Sequence, residues 1–224
     1  MILPFPRQNP VSTRVSKELY ALLSFCLCLS VLPTLPGCSK TEVREVSYDD
    51  GTLNLRYHVK KLKDGKVVKH GKHENWYPNG ALYSRQYFKE DKPNGKSMFW
   101  FRNGQKWFEC SYEEGRRIGA YSEWHKNGEK FCEYGFNNHG RRSGLYHEWH
   151  DNGEKAYECN FRAGEKDGPF TSWHKNGQKK EQGSYRDGKK HGRCRTWDTS
   201  GELVSDVVYD DGDIVQKSAP GNSS

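Results

Sequence analysis

Three histidines, His125, His150 and His174, each follow a tryptophan and precede a charged residue, an Asn and a Gly, in the stretches WHKNGEK, WHDNGEK and WHKNGQK. Imidazoles beside amides and charges are the residue types of metal sites and of general bases. Either chemistry requires its groups to converge. Equivalent positions in adjacent β-hairpins lie about 10 Å apart, too far to share an ion whose bonds to nitrogen are about 2 Å long. Tyr77, Phe101 and Asp198 hold the same place elsewhere in the chain, so the position is permissive. His147 stands near His150 in sequence, but strand alternation sends the two to opposite faces. No metal, cofactor or catalytic residue is expected. The chain also lacks Gly-x-Ser-x-Gly, a phosphate loop, His-Glu-x-x-His and Cys-x-x-Cys.

A second row of chemistry-bearing residues is basic. Lys106, Lys130, Lys155 and Lys179 each stand two residues after a turn glycine. They form a candidate anion-binding stripe, for lipid headgroups or an acidic envelope polymer, with Glu129 and Glu154 nearby to balance it. Cys110, Cys132, Cys159 and Cys194 are an even number, which permits disulfides in an exported protein. Their spacing along the repeat strains or forbids the required Cα approach, so they are expected as small apolar residues on a sheet.

The elements that position these groups are repeats. Trp76, Trp100, Trp124, Trp149, Trp173 and Trp197 each stand four residues before a glycine: Gly80, Gly104, Gly128, Gly153, Gly177 and Gly201. The glycine is preceded by Asn79, Asn103, Asn127, Asn152 and Asn176, and by Ser200 in the last unit. The steps between glycines are 24, 24, 25, 24 and 24 residues. A further glycine lies five residues before each Trp, and an aromatic (Phe88, Tyr112, Phe136, Phe161, Tyr185, Tyr209) eight residues after each turn glycine. Asn-Gly between short segments predicts a hairpin with a two-residue type I′ turn. Each Trp then faces the residue three places past the glycine, namely Tyr83, Trp107, Phe131, Ala156, Lys180 and Val204. The aromatic eight places past the glycine falls on the other face, with Tyr121, Tyr146 and Phe170. A glycine-marked return turn joins the units, looser where Asp91 replaces glycine, and the one extra residue sits in the return turn at Asn137–Gly140. The fold expected is all-β, an elongated single-layer antiparallel sheet of tandem hairpins, on the order of 60 Å long over six repeats.

The Trp/Tyr-x-x-Asn-Gly turn, the following Tyr/Phe-x-x-Gly and the 24-residue step resemble MORN-type repeats, in the bacterial variant grouped as the YwqK-type antitoxin family. The resemblance covers residues 71–212. It implies a protein-binding or membrane-associated scaffold without catalytic residues, or an antitoxin or immunity role against a toxin.

The composition agrees with a thin sheet. Aromatics make up 13% of the chain, hydrophobic residues 33%, and there are 23 Gly. The start differs: Arg7, Arg14 and Lys17 precede an apolar run from Leu19 to Leu35, as in an export signal. Leu35-Pro36-Gly37-Cys38 resembles the bacterial lipobox, which implies cleavage between Gly37 and Cys38 and lipidation of Cys38. Ser39 next to it implies sorting to the outer membrane in a cell that has one. Loss of residues 1–37, with three Arg/Lys and one Glu, lowers the net charge from +7 to +5. Interspersed charge of that size does not indicate a nucleic-acid partner. The organisation expected is a signal peptide over 1–37, a linker over 38–47, a degenerate opening hairpin over 48–70, six repeats over 71–216 and a disordered tail over 217–224. The function expected is a lipid-anchored, non-catalytic scaffold at the cell envelope that binds a protein or envelope partner. A carbohydrate-binding module is a third possibility, since Trp and Tyr stack on sugars.

Overall fold

The computed structural model describes residues 41–218, all as strands and turns in one antiparallel sheet. Cys38, Gly37 and the signal segment fall outside the described residues. The strands are β1 (Thr41–Ser47), β2 (Leu53–Lys61), β3 (Val67–Trp76), β4 (Leu82–Lys89), β5 (Lys92–Pro93), β6 (Gly95–Trp100), β7 (Lys106–Glu113), β8 (Arg116–Trp124) and β9 (Lys130–Phe136). They continue with β10 (Arg142–Trp149), β11 (Lys155–Arg162), β12 (Glu165–Trp173), β13 (Lys179–Arg186), β14 (Lys189–Lys190), β15 (Gly192–Trp197), β16 (Leu203–Asp210) and β17 (Asp213–Ser218). Neighbours in sequence are neighbours in the sheet. β5 with β6, and β14 with β15, are interrupted strands that both pair with the strand before them. The expected fold is therefore observed, with a wider extent. Thr41–Ser47, expected as linker, form β1 against β2, and β17 carries the sheet to Ser218.

The hairpin turn differs from the expected one. Tyr77 N–H donates to Ala81 O at 2.8 Å and Gly80 N–H to Tyr77 O at 2.9 Å, which makes a three-residue loop. Only the glycine has positive φ there, 78° at Gly80, so the turn is type I closed by a left-handed glycine. Two-residue turns with positive φ at both central residues occur at the returns instead, as at Glu114 (46°) and Gly115 (87°). Even Glu90 and Asp91 adopt that geometry (50° and 66°), so the return expected to be looser is as tight as the others. Asp91 Oδ1 accepts from Lys69 N–H at 2.8 Å, a bond that glycine cannot supply. The inserted residue is found where expected: Asn137 N–H bonds Arg141 O, and the return becomes a three-residue loop.

The longer loop is compensated at once. Trp76 pairs with Leu82, and a bulge follows, after which Asn75 pairs with Ser84 and His73 with Gln86. The same offset recurs in each unit, with Trp100 on Lys106, Trp124 on Lys130, Trp149 on Lys155, Trp173 on Lys179 and Trp197 on Leu203. The body of each hairpin thus keeps the expected register, and only the mouth is corrected. Trp faces the residue two past the glycine, and the residue three past it joins the opposite face. The glycine five before Trp is a second special position, since it pairs with the late aromatic: Gly71 with Phe88, Gly119 with Phe136, Gly168 with Tyr185. A ring opposite a glycine covers backbone that has no side chain of its own.

Turns are tied from unit to unit. Each turn asparagine accepts the N–H two residues on and donates to a carbonyl of the next turn. Asn127 Oδ1 accepts from Glu129 N–H at 3.1 Å, and its Nδ2 donates to Asp151 O at 2.7 Å. Asn79, Asn103, Asn152 and Asn176 repeat the pattern on Arg102, Lys126, Lys175 and Thr199. Asn127→Ala removes two bonds at once and is expected to cost about 1–2 kcal/mol in chemical denaturation, whereas Lys126→Ala beside it should cost nothing measurable.

Candidate functional site

The two faces of the sheet have different chemistry. On one, three of the six half-buried repeat tryptophans meet a lysine from the preceding unit. Lys106 Nζ lies 4.7 Å from the Trp124 ring centre, Lys130 5.4 Å from Trp149, and Lys155 5.6 Å from Trp173. Each lysine also reaches the carboxylate three residues on, Glu109 at 2.9 Å, Glu133 at 2.5 Å and Glu158 at 3.2 Å. Lys179 donates to Gln182 at 3.3 Å. These carboxylates, rather than Glu129 and Glu154, balance the stripe, and Trp rather than His faces it. Three of the four candidate anion-binding lysines are therefore committed to Trp and Glu.

The histidine position also has an assignment. His125, His150 and His174 use Nε2 to donate to the carbonyls of Trp149, Trp173 and Trp197 at 3.0, 3.0 and 2.9 Å. Tyr48 and Tyr77 do the same with their hydroxyls toward Trp76 and Trp100. The site is permissive for any side chain that can donate across one repeat. Phe101 cannot, and stacks on Trp107 with centroids 5.5 Å apart.

The other face carries a ladder of rings. Phe99, Phe108, Tyr121, Tyr134, Tyr146, Tyr157, Phe170 and Tyr185 follow one another from β6 to β13, with centroid distances from 4.3 to 6.1 Å. Small residues fill the spaces beneath: Ser97, Cys110, Cys132, Cys159 and Cys194 are all buried. The four cysteines are free thiols, matching the small apolar role expected of them. Burial, reinforced by the charges of Glu123 and Glu148, pushes the Cys132 thiol up to about 12. Burial also pushes the Tyr121 and Tyr146 phenols up, and each donates at 2.8 Å to a carboxylate, Glu123 and Glu148 respectively. They remain neutral donors at any ordinary pH.

A second cationic row lies over these rings. Arg117 covers Tyr112 and Phe136 at 6.0 and 5.8 Å, and Arg142 covers Tyr134 and Phe161 at 4.7 and 5.4 Å. Lys166 covers Tyr157 and Tyr185 at 4.6 and 5.0 Å, and Lys190 covers Phe170 and Tyr209 at 5.8 and 5.4 Å. Each stands seven residues before a repeat Trp, as does Lys69 over Phe88 at 5.2 Å. Sequence reading missed this row, although basic residues at that offset in five of six units were a visible signal. On this face, between β10 and β13, opens a cleft of about 440 Å³ lined by Arg142, Tyr146, Tyr157, Phe161, Lys166 and Lys180 among others.

His191, Asp210 and Asp211 also bring their ligand atoms within 4.8 Å of one another. Arg186 already bonds both carboxylates, at 3.3 and 2.7 Å, and so places positive charge where a cation would sit.

The family model of the MORN repeat variant matches residues 69–90 and 166–187. Both matches begin at a cation of the second row and frame one Asn-Gly hairpin, in the same phase of the repeat. The chain is thus a repeat scaffold with MORN-variant repeats at these two sites. Among solved structures, a Bacteroides fragilis protein of unknown function is similar at 9% identity, covering 78% of this chain and 96% of its own, with a TM-score of 0.15. No curated protein matches.

Proposed function

We propose that this protein is a non-catalytic binding scaffold, held at the bacterial cell envelope by a lipid on Cys38, which engages a protein or envelope partner along its ring ladder. The observation that carries this reading is the ladder itself: stacked rings topped by cations on one face of a single-layer sheet, over which the described residues place no second layer. The rings are buried or half-buried, so what this face presents is the periodic row of cations held over them, a patterned charge that suits recognition of an acidic partner. A site made of near-identical units also suits an extended partner better than a reaction that needs one convergent set of groups.

Affinity capture from detergent-solubilised membranes, with the full chain as bait, tests the reading. Reversing Arg117 and Arg142 to Glu is expected to abolish capture of the bound partner. Leu145→Asp, at a 64% exposed residue of the opposite face, should leave it intact. Retention by the double variant with loss in Leu145→Asp would reject the assignment of the face. Metabolic labelling with palmitate should disappear in Cys38→Ser, and labelling that persists would reject the anchor.

A further inference from the structure

The cleft between β10 and β13 lies where the repeat departs from its own pattern. The residue three past the turn glycine is aromatic in the first three units, Tyr83, Trp107 and Phe131, and its ring packs on the face that bears the ladder. In the fourth and fifth units it is Ala156 and Lys180, and both line the cleft. Ala156 is buried, so the hole is left by a missing ring and floored by a methyl group. The residues before Trp in these two units, Glu148 and Ser172, put a carboxylate and a hydroxyl into the same walls.

The charges there are unbalanced. Among the described residues, ion pairs join Lys155 to Glu158, Lys190 to Glu181 and Arg162 to Asp167, while Arg142, Lys166 and Lys180 have no carboxylate partner. Glu148 is the one acid in the lining, and it accepts the Tyr146 hydroxyl at 2.8 Å. Arg142 and Lys166 lie over rings, which hold a cation in place without neutralising it. Those same cations cover the ring faces, so the rings orient charge instead of offering a bare stacking platform. A guanidinium fork and two ammonium groups suit carboxylate or phosphate oxygens. Glu148, Ser172 and the Tyr157 hydroxyl, which accepts from Lys166 Nζ at 3.0 Å, suit neighbouring hydroxyl groups.

We infer that this cleft is a binding site for an acidic saccharide, a sugar unit bearing a carboxylate or phosphate beside free hydroxyls. The inference deepens the proposed function by naming a ligand class for one segment of the ladder, and it rests on that face being the working one. It requires only the fourth and fifth units, so it can fail while partner capture along the rest of the face survives.

Calorimetric titration of the full chain with trigalacturonate, glucose 6-phosphate, maltotriose and tetraglutamate is the test. Binding of trigalacturonate or glucose 6-phosphate, at least tenfold tighter than maltotriose and tetraglutamate, is expected, and which of the two prevails assigns carboxylate or phosphate. Ala156→Phe, which restores the ring of the preceding unit, should weaken binding at least tenfold with an unchanged far-ultraviolet spectrum. Arg142→Gln with Lys166→Gln should do the same by removing charge, which guards against a refolded Phe variant. No binding of either acidic sugar, equal binding of maltotriose, or affinity untouched by both variants would each overturn the inference. Equal or tighter binding of tetraglutamate would overturn it in favour of an acidic peptide.

Discussion

Phe170→Ala is expected to destabilise the protein by about 3–5 kcal/mol, the range for removing a buried aromatic ring. In a sheet without a second layer, few side chains are enclosed well enough to cost that much. Phe170 is 1% exposed and sits among Cys159, Phe161 and Cys194, with the Tyr185 ring centre at 4.6 Å and Tyr157 at 6.0 Å. Its partner across the hairpin is Gly183, and a Cβ built there would lie 2.9 Å from Phe170 Cε1 and closer still to Cys194 Sγ. The glycine is thus the space into which the ring packs, and Gly183→Ala should be destabilising by overpacking. Because each unit touches only its neighbours, the loss should be local. Hydrogen exchange of Phe170→Ala should accelerate most in β11–β16 and least in β2–β6, since stacked repeats couple through successive interfaces. Uniform acceleration along the whole chain would show instead that the ribbon unfolds as one unit.

The contrast between Phe170 and the turns shows how legibility in the sequence was divided. The period, the hairpins and the body register followed from counting Trp and Gly, because a strand alternates with a period of two and a repeat multiplies that signal. The mouth of each hairpin did not follow. Asn-Gly favours a type I′ turn in isolation, but in the stack its amide also bonds the next turn, as Asn127 does to Asp151 O. That inter-repeat bond accompanies a conformation in which only the glycine has positive φ, and a bulge then absorbs the extra residue. The consequence for the candidate site was large. Shifting one position brought Lys130 opposite Trp124 instead of near His125, and moved Phe131 to the ladder face beside His125 at 5.0 Å. The lysine row, prominent in the sequence, became a structural lattice with Glu and Trp. The row of Arg117, Arg142, Lys166 and Lys190 was equally periodic, but its contact with the rings depends on which strands become neighbours.

Acid should destabilise the protein well before its carboxylates titrate, and His73 is the reason. It is 8% exposed on β3, on the ladder face, with the Tyr57 ring centre at 5.7 Å and that of Phe88 at 5.3 Å. Burial first, and the nearby charge of Lys69 second, lower its pKa to about 4. The unfolded chain takes up that proton near pH 6.5, the ordinary value for histidine. Between these two values the unfolded state binds more protons, so stability rises with pH. The contribution of His73 is complete above pH 6.5 and declines by about 1.4 kcal/mol per unit below it, reaching about 3 kcal/mol near pH 4. Glu74 lies within this window's lower edge only. Its burial alone would raise its pKa, but hydrogen bonds and charge from Arg85 and Lys72 hold it below the usual carboxylate value, so its contribution falls away at still lower pH. Urea denaturation at pH 7, 6 and 5 therefore separates the two. Wild type should lose stability steadily across that range, and His73→Phe, which keeps a ring between Tyr57 and Phe88, should lose little. A variant with the same slope as wild type would place the acid-sensitive group elsewhere in the sheet.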